Sequence, residues 1–305
     1  MELYYEGTNI ADRVSITKCI HREFSGGRSD CLEIEFEDAA AWHRWQPKEN
    51  DQIIAAMNGY DTGILYLNTI IPEDGRFRIL ATSLPGIGHR KANKSFEGMT
   101  LGAIMAACAA ECGMTSRLYG LSEGIAYPYI MRQNEGCAAF IDRLMKWEGA
   151  VFKAVSGRFT GIGIEYAQSL KAMQNIEISA DQPGMKYQRR DNMKLAGITI
   201  NTPFAECTAV DEGVEGGIYE IYTHYPAVDA VQAGRWARGL LLHHNRRSEE
   251  LWIESEFNAG FTAMARIDIS SANNMEGAWI IDEVTHDFVD KKSAAKMLRC
   301  IHTIK

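Results

Sequence analysis

Alternation of apolar and acidic side chains marks the first part of the chain. Residues 32–37 read Leu-Glu-Ile-Glu-Phe-Glu, the pattern of a β-strand with one buried and one wet face. Further short strands are predicted at 14–20, 51–57, 62–71 and 76–84. The turn signals Asn58-Gly59 and Pro-Glu-Asp-Gly at 72–75 join such strands into hairpins. A run of hairpin-linked strands favours a barrel or a sandwich.

The middle of the chain changes to a helical period. Apolar residues at 101, 104, 105, 108 and 112 share one helix face, with Thr100 as the expected N-cap and Gly113 as the stop. A second helix is predicted from Asn134, as its cap, to Glu148. A hairpin around Ser156-Gly157 follows. These elements form an expected α+β unit of about 70 residues.

The last part returns to strands, so the sequence predicts a three-part, mainly β protein. Strands are predicted at 195–200, 218–223, 251–257, 261–269, 279–288 and 296–304. One helix is predicted from Val228 to about His244. The expected domains are a strand-rich unit over 1–93, an inserted α+β unit over 94–165, and a strand-rich unit with one helix over 166–305.

Composition and charge exclude several classes of protein. The chain has 305 residues, 46% hydrophobic and 24% charged, which is ordinary for a globular protein of about two domains. Its longest uncharged apolar stretch, 98–110, is too short to cross a bilayer, and residues 1–6 do not resemble a signal peptide. The net charge of −8 argues against binding nucleic acid through phosphate neutralisation. The acidic excess lies in the first and last segments, four charges in each.

The seven cysteines are expected to be free thiols in a reducing compartment. Their number is odd and no pair has CxxC spacing. Cys108 and Cys112 lie four residues apart in the apolar stretch, as small core residues on one helix face do.

Two short motifs resemble those of serine enzymes but lack the structural context that those motifs need. Gly120-Leu121-Ser122-Glu123-Gly124 matches the nucleophile elbow, which needs a strand before it and a helix after it. Residues 116–119 make a poor strand and Pro128 opposes a helix, so a surface loop is favoured. Ser293-Ala294-Ala295-Lys296 matches SxxK but lacks its partner motifs, so a turn before the last strand is favoured.

Neither a cofactor site nor a metal site is predicted. Gly86-Ile87-Gly88 lacks the third glycine of a dinucleotide fingerprint and is interpreted as a flexible link. His243 and His244 point about 100° apart on a helix and cannot easily share a metal. The other histidines are scattered at positions 21, 43, 89, 224, 286 and 302. No catalytic, cofactor-binding or metal-ligating residue is therefore assigned.

Two charged clusters have alternative interpretations. Glu33, Glu35 and Glu37 share one strand face, which is typical of a solvated sheet that discourages edge pairing; acid–base chemistry is the alternative. The basic cluster consists of Lys186, Arg189, Arg190 and Lys194. A solvated linker is favoured for it, with docking to an acidic partner as the alternative.

The order of motifs in the middle segment resembles a known family. Residues 94–104 (Lys-Ser-Phe-Glu-Gly-Met-Thr-Leu-Gly-Ala-Ile) look like the opening of the inserted domain in the baseplate hub of contractile phage tails and R-type bacteriocins, the late-control protein D type. Tyr-Pro-Tyr at 127–129, Gln-Asn-Glu at 133–135 and Phe-Ile-Asp-Arg-Leu at 140–144 follow in the family's order, with Gly136-Cys137 in place of Ser-Asp. The passages 148–153, 157–159 and 277–286 continue the resemblance, but residues 287–292 replace a glycine-rich turn.

The resemblance implies a structural function. Such hubs resemble two tube-type antiparallel β-barrels flanking a small α/β domain. Three chains would form a homotrimeric ring that joins the sixfold tail tube to the threefold central spike. The implied partners are the tail tube protein, the central spike protein and other baseplate proteins, without a cofactor, a membrane or specific nucleic-acid binding. The ring would assemble in the bacterial cytoplasm and become part of a phage tail or bacteriocin. Two acidic barrels would give an acidic lumen to which DNA does not adhere.

Three rival functions remain at this stage. One is the structural head of a tail-associated protein from a long flexible phage tail, which shares the barrel architecture. Another is a serine hydrolase using Ser122. A carbohydrate-binding module of a cell-surface enzyme is the third, and it is opposed by the N-terminus and the unpaired cysteines.

Overall fold

The first segment consists of short strands joined by tight turns, as its hydrophobic alternation predicts. A computed structural model describes residues 1–37, 45–73, 75–179, 182–271, 274–301 and 304, so Asp74 of the predicted 72–75 turn lies outside the described residues. The strands are β1 (Glu2–Tyr5), β2 (Thr8–Asn9), β3 (Ile16–Phe24), β4 (Cys31–Phe36), β5 (Gln52–Met57), β6 (Tyr60–Asp61), β7 (Leu65–Glu73) and β8 (Arg76–Thr82). Leu32, Ile34 and Phe36 are buried, as the alternation in β4 requires.

The middle segment contains both predicted helices and the predicted hairpin. Its elements are β9 (Ala92–Thr100), α1 (Leu101–Glu111), β10 (Thr115–Tyr119), β11 (Ala126–Glu135), α2 (Cys137–Trp147), β12 (Ala150–Val155), β13 (Arg158–Gly163) and α3 (Ile164–Ser169). The Thr100 hydroxyl accepts a hydrogen bond from the Ala103 amide at 3.3 Å, and Gly113 has a φ of +68°, so the predicted cap and stop of α1 are confirmed.

One helix boundary in the middle segment was wrongly predicted. Asn134 lies near the end of β11, where its amide donates to Asn93 Oδ1 at 2.7 Å, and α2 starts after Gly136. The register of β11 shifts between Arg132 and Glu135, and this irregularity holds Asn134 at a φ of +50°. Asparagine favours helix caps, but it is also common in left-handed turns, so its position alone does not mark the start of a helix.

The last segment carries more strands than its pattern predicts. Its elements are β14 (Gln174–Glu177), β15 (Lys186–Arg189), β16 (Leu195–Asn201), β17 (Glu206–Val210), β18 (Ile218–Tyr222), α4 (Ala230–Asn245), β19 (Glu249–Glu256), β20 (Arg266–Ser270), β21 (Gly277–Asp287) and β22 (Lys292–Arg299). The helix α4 is capped by Asp229, whose carboxylate accepts from the Gln232 amide at 2.7 Å.

Two strand predictions in this segment need correction. The alternating stretch 261–269 is a strand only from Arg266, because the amides of Phe261 and Ala265 bond to Asn258 and Thr262 in turns. The final strand begins at Lys292 and ends at Arg299 rather than covering 296–304, and residues 302 and 303 lie outside the described residues.

One large sheet joins the two ends of the chain. Its hydrogen-bonded path runs β15-β19-β22-β21-β3-β4-β8-β7-β5-β1-β2, with β20 on β21, β14 on β20, and β6 on β5. The central pairing is antiparallel between β21 and β3, with His286 opposite His21. Over the described residues this sheet stays open and does not close into barrels. The fold is therefore mainly β, and the expected pair of barrels remains a prediction.

Three smaller sheets and three hydrophobic cores complete the fold. The small sheets have the orders β10-β13-β12, β11-β9 and β17-β16-β18. One core lies under the first-segment strands and a second under β19 to β22. The third is shared by α1, α2, α4 and the small sheets, where Phe140 and Trp236 are fully buried. No helix among the described residues has the length and apolarity needed to span a membrane.

Candidate assembly surfaces

A buried polar cluster, the Lys153 triad, holds the middle segment against the first. The ammonium of Lys153 lies 3.2 Å from the carboxylate of Asp30 and 3.4 Å from that of Glu23, and all three side chains are buried or nearly so. Glu23 also accepts a hydrogen bond from the Ala263 amide at 3.0 Å, which brings in the last segment. The triad therefore fixes all three segments at one point.

Charge within the triad is unbalanced, because two carboxylates share one ammonium. Burial raises the pKa of Asp30 to about 6, and the attraction of Lys153 only partly opposes it. Burial alone would lower the pKa of Lys153, but the attraction of Asp30 and Glu23 outweighs it and raises that pKa. Glu23 is likewise penalised by burial, yet Lys153, His21 and the Tyr60 hydroxyl lower its pKa.

Two histidines from opposite ends of the chain pack beside the triad. The Tyr60 hydroxyl lies 2.5 Å from a carboxylate oxygen of Glu23 and 2.7 Å from Nδ1 of His21. Nε2 of His286 donates to the Phe261 carbonyl at 2.8 Å, which leaves Nδ1 to accept from the Ser293 hydroxyl at 2.8 Å. Burial lowers the pKa of His21 to about 3 and also lowers that of His286. Both rings are therefore neutral at pH 7.

Two further buried acids connect the helices to the sheets. Glu148 accepts from the Tyr127 hydroxyl at 2.8 Å, from Nε1 of Trp236 at 2.8 Å and from Nε of Arg235 at 3.0 Å. Asp282 on β21 lies 2.8 Å from the guanidinium of Arg246. These contacts hold α4 against the middle segment and the large sheet. They were not predictable, because the partners are separated by up to 88 residues.

Several strand edges of the large sheet have no backbone partner among the described residues, β2 and β14 among them. The strand β15 pairs only with β19, so its outer side is free. The strand β7 pairs with β5 only at Tyr66 and Leu65, so its later half, 69–73, is bonded to β8 alone. A free edge is a ready template for pairing with another chain.

An apolar surface lies on the edge strand β18. Tyr219 and Ile221 are 54% and 65% exposed, and their spacing of two places them on one face of the sheet. The opposite face carries Ile198 and Ile200, which are buried in the core shared with α4. Exposed apolar side chains at this density indicate a contact surface for another protein. We refer to Tyr219 and Ile221 as the β18 patch.

The acidic comb lies on the wet face of the large sheet, as the alternation predicts, and two of its carboxylates pair with cations there. Glu33 lies 2.8 Å from Lys18, and the guanidinium of Arg78 lies 3.7 Å from the same carboxylate. Glu35 pairs with Arg76 at 3.0 Å. The Glu37 carboxylate accepts from the Ser15 hydroxyl at 3.1 Å. This face of the large sheet therefore has mixed charge, and the acidic excess of the sequence is not concentrated on it.

The basic cluster is an edge strand with neighbouring acids rather than a solvated linker. Lys186 and Arg189 lie on β15, and Arg189 lies 2.6 Å from Asp191. Arg190 lies 2.9 Å from Glu250, and Lys194 lies 3.2 Å from Asp191. The linker interpretation was wrong because β15 has little apolar signal: its sequence is Lys-Tyr-Gln-Arg and only the pairing with β19 identifies it.

The serine motifs lack the geometry of a catalytic site. Ser122 follows a true strand, β10, contrary to the sequence interpretation, but the chain then continues into β11 instead of a helix. Its hydroxyl accepts from the Gly124 amide at 3.3 Å within the same loop. Ser293 is 1% exposed and Lys296 lies on a strand, so SxxK does not have its helical form here. The Ser293–His286 pair is likewise buried, out of reach of a substrate.

The remaining candidate positions serve the fold. Gly86-Ile87-Gly88 forms a 3-10 turn, in which a Cβ on Gly88 would lie 2.7 Å from the Leu84 side chain. Within the described part of the chain, no group of three or more potential ligands could hold a metal ion, and His43 and His302 lie outside that part. All seven cysteines are free thiols; Cys108 is buried on α1 and Cys112 is buried directly after it.

The architecture matches solved tail proteins over almost its full length. The 43 kDa tail protein of prophage MuSo2 from Shewanella oneidensis superposes with a TM-score of 0.75 at 11% identity, covering 98% of this chain and 97% of that one. A tail protein from Neisseria meningitidis MC58 superposes with a TM-score of 0.77 at 9% identity, and the match covers 99% of this chain and 96% of that one.

A secretion-system protein has the same fold. A component of the type VI secretion system of E. coli, described as structurally similar to the bacteriophage T4 tail proteins gp27 and gp5, gives a TM-score of 0.61 at 12% identity, covering 99% of this chain and 78% of that one. Neither a protein-family model nor a curated protein matches the sequence. The chain thus has the fold of phage tail proteins and of related secretion-system components.

Proposed function

We propose that this chain is a structural baseplate hub of a contractile tail, in a phage or an R-type bacteriocin. In this proposal three copies form a homotrimeric ring that joins the sixfold tail tube to the threefold central spike. The ring assembles in the bacterial cytoplasm and then becomes part of the particle. Its function is mechanical and needs neither a cofactor nor a catalytic residue.

The observation that carries this proposal is the open sheet built from both ends of the chain. The pairing of β3 with β21 joins strands from 1–93 and 166–305 into one surface. Two of its strand edges without a partner in the described part of the chain are β15 and residues 69–73 of β7. A rotation that pairs one edge with the other on the next copy covers both edges and closes a ring. If each strand-rich segment is one tube-type unit, three copies present six units, which matches a sixfold tube.

The exposed face of the large sheet is the proposed lining of the channel. It carries the paired charges of Glu33, Lys18, Glu35 and Arg76. A lining of neutralised ion pairs offers DNA neither a strong attraction nor a strong repulsion. We therefore replace the expectation of an acidic lumen by one of mixed charge.

The β18 patch is the proposed contact with a neighbouring tail component, either another copy or an adjacent baseplate protein. Tail tube protein, central spike protein and further baseplate proteins are the proposed partners. The similarity of this fold to the secretion-system component described as gp27- and gp5-like supports a place near the tube–spike junction.

Mass spectrometry of sedimented particles from induced host cells tests the proposal. We expect this chain to co-sediment with tube and sheath proteins and to be much less abundant than either. Recovery only from the soluble fraction contradicts the proposal. Recovery with tube protein but without sheath supports the alternative, the head of a tail-associated protein in a long flexible tail.

A further inference from the structure

A cationic cavity lies where the ends of two helices meet two sheets. Its volume is about 620 Å³, which is within the range of sites that bind small molecules or short peptide segments. Lysine, arginine and histidine side chains dominate its polar lining: Lys146, Arg190, Arg247, Lys296, His243 and His244. We call this space the α2–α4 cavity.

The residues that line the cavity carry a net positive charge. Among the described lining residues are four cations and one acid, Glu250, which give a formal charge of +3 when the histidines are left out. The C-terminal ends of α2 and α4 contribute roughly −0.5 each, which leaves about +2. The whole chain carries −8, so this concentration of positive charge runs against the average of the molecule.

Much of this positive charge is not used by the protein itself. Lys146 and Arg247 are exposed, and neither makes an ion pair or a side-chain hydrogen bond with another described residue. Arg190 and Lys296 each lie 2.9 Å from Glu250, and Lys296 also lies 3.9 Å from Asp282. Nε of Arg190 is buried and has no hydrogen-bond partner among the residues that the structure describes.

His243 shapes the base of the cavity without adding charge there. Nε2 of His243 lies 2.7 Å from the Ala150 carbonyl oxygen, and burial lowers the pKa of His243 to about 3. Nε2 of His244 lies 2.7 Å from the Met193 carbonyl oxygen. Tyr222 and Tyr225 add aromatic surface to the wall.

We propose that the α2–α4 cavity binds an acidic polypeptide segment, with aspartate or glutamate side chains on Lys146 and Arg247. Four cations from four separate elements suit a ligand that carries several carboxylates along its length. Arginine matches the planar carboxylate with paired hydrogen bonds. The tyrosine rings accommodate the backbone and aliphatic parts of such a segment.

A nucleotide or a free polyphosphate fits the cavity less well. The C-terminal ends of α2 and α4 face the cavity, and their partial negative charge opposes a phosphate group, with up to two negative charges, more than a carboxylate with one. The site also lies within a single chain, so the proposal does not depend on the ring.

Fluorescence anisotropy with a dye-labelled hexaglutamate peptide tests this site on the full chain. We expect saturable binding that weakens as salt is added, and no binding of the same dye on hexaglutamine. The chain repels acidic peptides elsewhere through its net negative charge, so non-specific binding is suppressed.

A double variant, Lys146→Ala with Arg247→Ala, locates the binding. We expect at least about a tenfold loss of affinity, because two unpaired cations are removed from the cavity. The matched control is Arg158→Ala with Lys171→Ala, which removes the same charge from exposed positions outside the cavity. An unchanged thermal midpoint shows that each variant is folded.

Three results overturn the proposal. The first is the absence of hexaglutamate binding up to about 1 mM. The second is a loss of affinity in the control variant as large as that in the double variant. The third is tighter binding of tripolyphosphate than of hexaglutamate. The last result assigns the cavity to a small polyanion instead.

Discussion

The ammonium of Lys153 lies 3.2 Å from the carboxylate of Asp30, although 123 residues separate them and they belong to different segments. The sequence around each of these two residues does not predict that its side chain is buried. The pair, with Glu23, fixes β12 of the middle segment against β3, next to the β3–β21 pairing that joins the ends of the chain. The triad therefore adds a polar contact to the hydrophobic core that the middle segment shares with α4.

Replacing Lys153 by Met should strongly destabilise the protein. The change leaves two buried carboxylates without their cation, and breaking a buried pair in this way costs about 3–5 kcal/mol. Urea unfolding followed by tryptophan fluorescence measures the loss. The control is Lys94→Met, which removes an exposed partner 2.7 Å from Glu111 and should cost at most about 1 kcal/mol. If Lys153→Met lowers the free energy of unfolding as little as Lys94→Met does, the triad does not hold the segments together.

Stability should depend on pH through Asp30 between about pH 4 and pH 6. The pKa of this carboxyl is raised to about 6 in the folded state, against about 3.9 when unfolded. Its stabilising contribution is thus complete below the unfolded pKa and is lost as pH rises through the folded pKa. For two pKa units the change is about 3 kcal/mol at most.

The variant Asp30→Asn isolates this effect, because it removes the titrating group and keeps a hydrogen-bond acceptor for the Phe24 amide. We expect its stability relative to wild type to be higher at pH 7 than at pH 5. Denaturant midpoints of the variant and of wild type are measured at both pH values. If the difference between the two proteins is the same at pH 5 and pH 7, Asp30 is not the titrating group.

The close approach of α4 to α2 should make Gly239 irreplaceable. A Cβ at this position would lie 2.1 Å from the Trp147 carbonyl oxygen and 2.5 Å from the Gly149 nitrogen, and backbone atoms cannot move aside cheaply. Gly239→Ala should cost more than about 2 kcal/mol despite the higher helix propensity of alanine. At Gly234 in the same helix, the nearest neighbour of an added Cβ is the Cys207 sulfur at 3.1 Å. Gly234→Ala should therefore change the thermal midpoint much less. Equal midpoints for the two variants contradict this packing.

Replacing Tyr219 and Ile221 by serine should impair assembly into particles and leave the folding of the chain intact. Both side chains are largely exposed, so the free energy of unfolding should change by no more than about 0.5 kcal/mol. Incorporation into sedimented particles should fall sharply, because the β18 patch loses its apolar surface. The control is Met173→Ser, an equally exposed apolar residue on another surface. Normal incorporation of the double variant excludes the patch from the interface.

Local features of the fold were predictable, whereas long-range pairing was not. The helix α1 has its cap at Thr100, its stop at Gly113 and its apolar stripe all within 14 residues, so periodicity identifies it. The ribbon of β9 and β11 is mostly exposed and polar, which leaves no alternation to detect. The pairing of His21 with His286 has no sequence signal at all, because register between distant strands is set by packing.

The candidate surfaces show the same division. The apolar run Ile-Tyr-Glu-Ile-Tyr predicts the strand β18 but cannot show that Tyr219 and Ile221 are exposed. The four cations of the α2–α4 cavity lie between positions 146 and 296, and in the sequence each reads as an ordinary surface residue. The basic cluster was detected, but only the structure shows that Arg190 lies in that cavity while Lys186 packs over Trp252.

The absolute copy number of this chain per particle tests the hub most directly. Isotope-labelled reference peptides from this chain and from the tube and sheath proteins give the count in purified particles. A single homotrimeric ring predicts three copies per particle, against many copies of tube protein. Six or more copies per particle, or an abundance that rises with tail length, contradicts the hub and identifies a tube subunit.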